Sequence, residues 1–354
     1  MDGKVTMNRN TGTLRTYIVL MLLISVGATA LRTVACLSDL DYEYGYFNNK
    51  TFIDIANNIA LFGSLFMLTY PILAKKAALK PSFTSAATYI PTGLVSVALL
   101  FLSFTLFAKS EAISPLPLFS SLSDARVTLC LLSGVLALVS IVHFFLNAFI
   151  EESRATLRAY FAIGTIAFLS IYTSYLYFST DLPINSPNKI VDQMAVLLCA
   201  VFFLYEARIS LGRDLFRGYS VFGLISALLC LYSSVPSLVV YFVNGEIISA
   251  SVEANLFTLT LFIFITMRLI LTSALPECGE NGFVAAVKAN AEKRAKTVEE
   301  IEKNAEEAYT SVQMTIDDIF STEVENSESV DKEENNEEEE KLPIPTQLED
   351  TAVE

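Results

Sequence analysis

The sequence predicts an all-α fold: a polytopic transmembrane bundle of about eight helices, followed by a cytoplasmic amphipathic helix and a disordered acidic tail. Composition is the first of three observations behind this prediction, because 53% of the residues are apolar and the mean hydropathy is +0.49. These values are typical of membrane proteins. The second observation is a series of long apolar runs, and the third is a sharp division of charge between the body of the chain and its C-terminal segment.

The clearest apolar run is Tyr219 to Val243, which holds 25 residues without a charge. At about 1.5 Å per residue, a helix of this length crosses a hydrocarbon core of roughly 30 Å. Seven further runs resemble it, so residues 1–276 are predicted to form a transmembrane domain. The predicted spans are residues 17–34, 52–73, 89–107, 127–149, 160–178, 190–205, 219–243 and 252–275. The sixth is the weakest, because Asp192 and Gln193 shorten its apolar core and the helix must extend into residues 207–211.

The first run has two interpretations. Its basic N-terminal flank and the sequence Ala28-Thr29-Ala30 are typical of a cleaved signal peptide. The apolar residues Val34 and Ala35 continue the run beyond Arg32, which favours an uncleaved signal anchor. In the second case Arg32 lies about one turn from the outer end, where its long side chain is expected to reach the interface.

Loop charges predict the orientation, because cytoplasmic loops are enriched in Lys and Arg. Alternate segments, starting from the N-terminus, carry twelve of these residues, whereas the other set carries five. This alternation predicts a protein of the cell membrane with both termini in the cytoplasm. The predicted topology anchors are Lys75, Lys76, Arg208, Arg213, Arg217 and Arg268.

The charge of the chain is concentrated after Pro276. Residues 1–276 hold 17 basic and 15 acidic residues, whereas residues 277–354 hold 7 and 23, which gives a local net charge of -16. A 3,4 spacing of apolar residues runs from Val284 to Ile319 and predicts a coiled-coil helix within residues 277–320. The alternative is a solvated helix with a chance stripe. Residues 321–354 are too polar to fold and are predicted to be disordered.

This charge distribution also limits the kinds of partner that the protein is expected to bind. A basic footprint for nucleic acid is absent. The expected partners are the lipid bilayer and, through residues 284–319, a second copy of the chain or a cytoplasmic protein.

Ionisable and amide side chains near the outer ends of the first two spans are the first candidate site. Arg32 and Asp54 are expected to face each other across the first helical hairpin and to form an ion pair. Asn57 and Asn58 continue one turn deeper. Such a cluster either binds a small polar solute or supplies hydrogen bonds between helices.

Two further polar features lie deeper in the predicted spans. His143 is the single histidine, and no carboxylate is readable at its depth, so it is interpreted as a helix-packing residue rather than a proton relay. Ser233, Ser234 and Pro236 lie in the seventh span, where the proline should kink the helix and free a carbonyl. They either line a neutral polar cavity or pack helices together.

Catalytic chemistry is not readable. One histidine, no nucleophile motif and no spaced metal ligands predict a protein that is not an enzyme and that needs no cofactor or metal. Asn49 begins an Asn-Lys-Thr sequon in the first outer loop and is a candidate glycosylation site.

Two functional hypotheses remain. The first is a membrane sensor or scaffold that engages cytoplasmic partners through its C-terminal tail, with helix movement relayed through Arg268 and the joint at residues 276–282. The alternative is a small-solute transporter or channel whose path passes residues 233–237.

Overall fold

The structure is a computed structural model. It describes residues 9–42, 44–74, 86–113, 124–149, 155–179, 183, 186–211, 213, 215–248, 250–274, 298 and 300–307. Up to residue 274, the described helices are α1 (Arg9–Ser38), α2 (Thr51–Met67), α3 (Tyr70–Leu73), α4 (Tyr89–Ile113), α5 (Ala125–Phe149), α6 (Ala155–Phe178), α7 (Pro187–Ser210), α8 (Phe216–Asn244) and α9 (Val252–Ala274), with a 3-10 turn at Ala86–Thr88.

Eight helical segments in the described part of the chain are long and apolar enough to cross a membrane, with α2 and α3 together forming one of them. The predicted all-α, polytopic bundle is therefore confirmed. The sixth span begins at Pro187 and ends at Ser210, so the helix extends beyond the predicted apolar core in both directions. Proline suits this first helical position because its missing N–H has no partner inside a helix.

The C-terminal region belongs to a second unit, which comprises Lys288–Glu354, whereas Met1–Val287 form the first. Residues 300–307 of the second unit are helical. Lys303 and Glu307 lie 3.9 Å apart on this helix, at the i,i+4 spacing that stabilises exposed helices. Most of the predicted coiled-coil seam and all of residues 321–354 lie outside the described residues, so both remain predictions.

Helix α8 is the centre of the bundle. In its apolar window 78% of the residues are buried, against 28% in the span formed by α2 and α3. It packs against α1, α7, α9 and α2. Helices α4, α5, α6 and α7 pack against one another in succession, and α4 also packs against α9. Pro236 lies inside α8, and the helix ends at Gly245, whose φ of 75° is the left-handed conformation that favours glycine at this position.

A short β-hairpin is the one β-structure in the described residues. β1 (Leu40–Asp41) pairs antiparallel with β2 (Tyr46–Phe47), and both lie in the loop between α1 and α2. The Ser186 hydroxyl donates to the Gly45 carbonyl at 3.2 Å, which ties the hairpin to the start of α7. The end of the bundle that carries this hairpin is called the hairpin end below, and the other end is called the opposite end.

Candidate functional site

A group of buried polar side chains from four helices lies near the hairpin end. We call it the hairpin-end cluster. It contains Arg32 of α1, Asn57 of α2, Asn188 and Asp192 of α7, and Tyr232 and Ser233 of α8.

Arg32 connects three of these helices. Its side chain is 2% exposed, and its Nη2 donates to Asn188 Oδ1 at 2.8 Å. Its guanidinium carbon lies 4.5 Å from the centre of the Tyr232 ring, within the range of a cation–π interaction. The Tyr232 hydroxyl in turn donates to Asn57 Oδ1 at 2.7 Å. The guanidinium is therefore held inside the bundle and does not reach the interface as expected.

Helix α7 supplies a carboxylate to the same cluster. Asn188 and Asp192 are four residues apart and therefore lie on one face of α7, about 6 Å from each other along the axis. The Ser233 hydroxyl of α8 donates to Asp192 Oδ1. Both Asp192 and Ser233 are buried, so the carboxylate is removed from solvent together with its serine partner.

The backbone of α8 lacks one helical hydrogen bond beside this cluster. Pro236 has no backbone N–H, so the carbonyl of Tyr232, four residues earlier, loses its normal helical donor. The Ser237 hydroxyl donates to the Ser233 carbonyl at 3.2 Å, and Ser234 donates to the Cys230 carbonyl at 2.7 Å. The polar side chains therefore meet α8 at the one position where its hydrogen-bond ladder is interrupted by a proline.

Several donors of the hairpin-end cluster are unsatisfied. Arg32 Nε, Arg32 Nη1 and Asn188 Nδ2 are buried and have no hydrogen-bond partner among the residues that the structure describes. Within the same residues, Arg32 forms no ion pair, although the Asp192 carboxylate belongs to the same cluster. A buried donor without an acceptor costs about 1–3 kcal/mol, and more when it is charged. The side chains of Cys36 and Tyr232 also lie close to the Arg32 guanidinium.

A second buried charged group lies near the opposite end. Glu206 of α7 and Arg268 of α9 form an ion pair at 3.2 Å, and each side chain is 2% exposed. Arg158 of α6 is also buried and interacts electrostatically with Glu206. The Arg268 guanidinium lies 5.2 Å from the centre of the Phe264 ring. We call these residues the opposite-end cluster.

His143 joins helices α5 and α6. Its Nδ1 lies 2.9 Å from the Thr165 hydroxyl, and its Nε2 lies 2.9 Å from Asn147 Nδ2. Both ring nitrogens are therefore hydrogen-bonded inside the protein. This geometry agrees with the interpretation of His143 as a helix-packing residue.

Phenylalanines fill the region between the two clusters. Phe144 packs edge-to-face against Phe203 and Phe264, with ring centres 5.5 Å and 5.2 Å apart. Phe168 and Phe257 form another edge-to-face pair, at 5.7 Å. Such aromatic contacts fill space densely, so the two clusters are separated by apolar side chains.

Two expectations about charged residues are corrected. The Arg268 guanidinium does not reach the lipid headgroups, because it is buried and pairs with Glu206; its role as a topology anchor stays a prediction. The expected ion pair between Arg32 and Asp54 is not formed: Asp54 is exposed, and Arg32 donates to Asn188 instead. Both errors have one cause, since the sequence predicts the depth of a residue but not the helix that it faces.

The other predicted positions are distributed as follows. Asn58 lines a groove of about 480 Å³ between α1 and α2, together with apolar residues such as Phe62 and Phe66. Asn49 is exposed and accepts from the backbone N–H of Thr51 at 3.1 Å; its glycosylation stays a prediction. Among the predicted anchors, Arg208 and Arg213 are exposed, Arg217 is partly exposed, and Lys75 and Lys76 lie outside the described residues.

Sequence reasoning missed Asn188 as a site residue. For Asn188, the missed signal is its spacing of four residues from Asp192, which places two polar side chains on one face of a predicted span. No group of three or more His, Cys, Asp or Glu side chains that could hold a metal ion is found in the part of the chain that the structure describes.

Comparisons with protein-family models, curated proteins and solved structures find no match. Function is therefore inferred from the contacts and charges of the two buried clusters.

Proposed function

We propose that this multi-pass membrane protein is a non-enzymatic transporter of a small polar solute, which binds at the hairpin-end cluster. The single observation that carries the proposal is the buried guanidinium of Arg32, whose Nε and Nη1 have no hydrogen-bond partner among the described residues. If both termini are cytoplasmic, as the loop charges predict, this cluster lies in the outer half of the cell membrane.

A purely structural role explains Arg32 poorly. Neutral side chains such as Ser and Asn already supply hydrogen bonds between helices at a lower desolvation cost. Burying a charged group is expensive, and within membranes such groups commonly mark the paths of solutes and ions. An acceptor on a bound solute would satisfy the N–H groups that the protein leaves without partners.

The interruption of α8 supports transport in particular. In many transporters the solute binds where a membrane helix is broken, because the exposed backbone groups and side chains coordinate it there. Pro236 removes one backbone hydrogen bond from α8 three residues after Ser233, which donates to Asp192, while the helix itself continues from Phe216 to Asn244. The phenylalanines between the two clusters close the route toward the opposite end, so transport would require movement of helices α7, α8 or α9.

Uptake into reconstituted vesicles tests this proposal. The full chain is reconstituted, and the uptake of a panel of labelled inorganic ions, carboxylates, amino acids and sugars is measured against protein-free vesicles. For a transported solute we expect Arg32→Gln and Ser233→Ala to reduce uptake strongly. Ser234→Ala is the matched control, because the Ser234 hydroxyl contacts the backbone of its own helix and not Asp192. Uptake that is equal in all four proteins would refute the proposed site, and no uptake of any solute would refute the proposed function.

A second candidate function is a sensor or scaffold that engages partners through the C-terminal region. Its supporting observation is that Val298 and Ile301, at 54% and 61% exposure, belong to the predicted apolar seam. Such residues are available to a second helix. Removal of residues 282–354 should abolish the capture of partners by crosslinking and leave membrane insertion intact. Unchanged capture would reject this candidate.

A further inference from the structure

We infer that the exposed face of α2 associates with the same face of a second copy of the chain, and that the two Asn58 side chains pair inside the membrane. The inference goes beyond the proposed function and does not depend on it. Its basis is the Asn58 amide, which is exposed and forms no hydrogen bond among the described residues. The amide belongs to the least buried of the eight candidate spans, in which 28% of the apolar window is buried.

The Asn58 side chain lies at the depth of the hydrocarbon core. The span formed by α2 and α3 runs from Thr51 to Leu73, so its midpoint is residue 62. Asn58 is four residues from this midpoint, which is about 6 Å along the helix axis. The hydrocarbon core extends about 15 Å to either side of its centre. The exposed amide therefore meets lipid where neither water nor headgroups supply hydrogen bonds.

The neighbouring Asn57 shows how the bundle satisfies an amide at this depth. Its Oδ1 accepts from the Tyr232 hydroxyl at 2.7 Å. Successive residues of a helix are rotated by about 100°, so Asn58 points in a different direction and lines the groove between α1 and α2. Its hydrogen bonds must come from a molecule outside the bundle.

The exposed residues of this span form a seam for helix packing. They recur at alternating spacings of four and three residues: Asp54, Asn58, Leu61, Leu65 and Leu68. This is the a/d spacing of left-handed helix pairs, which occur in soluble coiled coils and in membrane bundles alike. Three of the five positions are leucine, and one Asn lies inside the hydrocarbon core. A single Asn at such a position fixes the register of two packed helices.

The chemistry of an amide favours a second copy as the partner. An amide carries two N–H donors and a carbonyl acceptor, so it is complementary to another amide. Two copies with the same orientation in the membrane are related by a two-fold axis along the membrane normal, and each residue meets its counterpart at equal depth. Asn58 of each copy therefore donates to Oδ1 of the other. Such bonds between membrane helices stabilise their association.

Lipid is a poorer occupant of this face. The groove beside Asn58 has a volume of about 480 Å³ and is otherwise lined by apolar residues such as Phe62 and Phe66. An acyl chain fills an apolar groove but offers the amide no donor or acceptor. Headgroups begin about 9 Å farther from the membrane centre than Asn58. A second helix supplies both an amide and apolar side chains.

The charge at the outer end of the seam does not oppose this pairing. Asp54 lies one turn nearer the hairpin end than Asn58, about 12 Å from the midpoint of the span, where its carboxylate reaches the headgroups and water. Repulsion between the two Asp54 carboxylates is weakened there by salt. Lys50, one turn farther out and also exposed, adds an opposite charge at the same surface.

Energy transfer in lipid vesicles tests the inference. Full chains with a donor or an acceptor fluorophore at the N-terminus are reconstituted together, and transfer is measured as lipid is added. We expect the wild type to dimerise and Asn58→Leu to weaken the dimer about 10-fold or more, because both amide bonds are lost. Asn58→Gln keeps an amide and should lie closer to the wild type. The helical circular dichroism of all three proteins should be equal. Random-collision transfer in the wild type, or equal transfer in the wild type and Asn58→Leu, would overturn the inference.

Crosslinking locates the contact. Leu61→Cys is compared with Phe101→Cys on α4, because the two positions are 56% and 59% exposed and each lies one residue from the midpoint of its span. After oxidation with membrane-permeant iodine, Leu61→Cys should give a disulfide-linked dimer on a gel, whereas Phe101→Cys and the wild type should not. Adding Asn58→Leu to Leu61→Cys should reduce the yield. Equal yields at the two positions, or a yield that Asn58→Leu leaves unchanged, would show that the copies meet by chance or through another surface, and either result rejects the Asn58 contact.

Discussion

The ion pair between Glu206 and Arg268 allows a quantitative prediction about stability. The two charged atoms are 3.2 Å apart, and both side chains are 2% exposed. At an effective dielectric constant of about 20, two unit charges at this distance attract each other by about 5 kcal/mol. Removing both ions from water costs several kcal/mol for each, so the intact pair contributes little net stability. Removing one partner abolishes the attraction, but the other charge stays buried and its desolvation cost remains.

The two single substitutions should differ in size. Arg268→Met leaves Glu206 close to Arg158, whose charge partly compensates the carboxylate, so we expect a loss of about 3 kcal/mol. Glu206→Met removes the carboxylate that pairs with Arg268 and interacts electrostatically with Arg158, and the expected loss is about 4–5 kcal/mol. The double variant should be more stable than Glu206→Met alone, because it also removes the buried charge of Arg268, although Arg158 still loses the Glu206 carboxylate. A methionine at 268 can also pack against Phe264.

Unfolding in mixed micelles measures these differences. The four proteins are titrated with denaturing detergent, and the loss of helical circular dichroism gives the free energy of unfolding. Arg126→Met is the matched control, because Arg126 pairs with Asp124 at 3.0 Å but both side chains are solvent-exposed. Its unfolding midpoint should equal that of the wild type. The reasoning is refuted if both single variants are as stable as the wild type, or if the double variant loses the sum of the two single losses.

Two further predictions concern helix contacts. The Cys199 and Cys230 sulfur atoms are 3.3 Å apart, so mild oxidation with membrane-permeant iodine should convert both thiols to a disulfide; a count of thiols after denaturation should show their loss, and Cys230→Ala should prevent it. A Cβ on Gly63 would lie 2.6 Å from Ile24 Cγ2, so Gly63→Ala should destabilise the protein by about 1–3 kcal/mol in the micelle titration. Gly27→Ala is the control, since its Cβ would meet nothing within 4 Å, and an equal loss in both variants would contradict the contact.

The spans could be predicted because the length and hydropathy of a helix are local properties. The partner of a polar residue is not local. Arg32 bonds Asn188, which is 156 residues away along the chain, although Asp54 is much nearer in sequence and lies at a similar predicted depth. The pattern of buried residues in α2 explains why Asp54 does not pair with Arg32. The buried residues of this helix include Ile53, Ala56 and Ala60, and this face turns Asp54 outward.

The positive-inside rule explains why the burial of Arg268 was not predicted. The rule counts basic residues near the ends of spans and does not distinguish a guanidinium among headgroups from one inside the bundle. Glu206 and Arg268 both lie within two turns of the opposite end, on α7 and α9. Opposite charges at matching depths were therefore visible in the sequence. The sequence does not show that α7 and α9 approach each other there, because α8 lies between them in the chain.

The two buried clusters differ in a way that bears on function. At the opposite end, the charges of Glu206 and Arg268 compensate each other inside the protein, although Glu206 Oε2 also lacks a hydrogen-bond partner among the described residues. At the hairpin end, Arg32 keeps buried N–H groups without partners among the described residues, and an apolar side chain there would be more favourable for folding. Buried polar groups without partners are expected where a protein binds a ligand, because the ligand completes their interactions. Stability in the absence of solute should therefore increase when Arg32 and Asp192 are both replaced by apolar residues, while binding is lost.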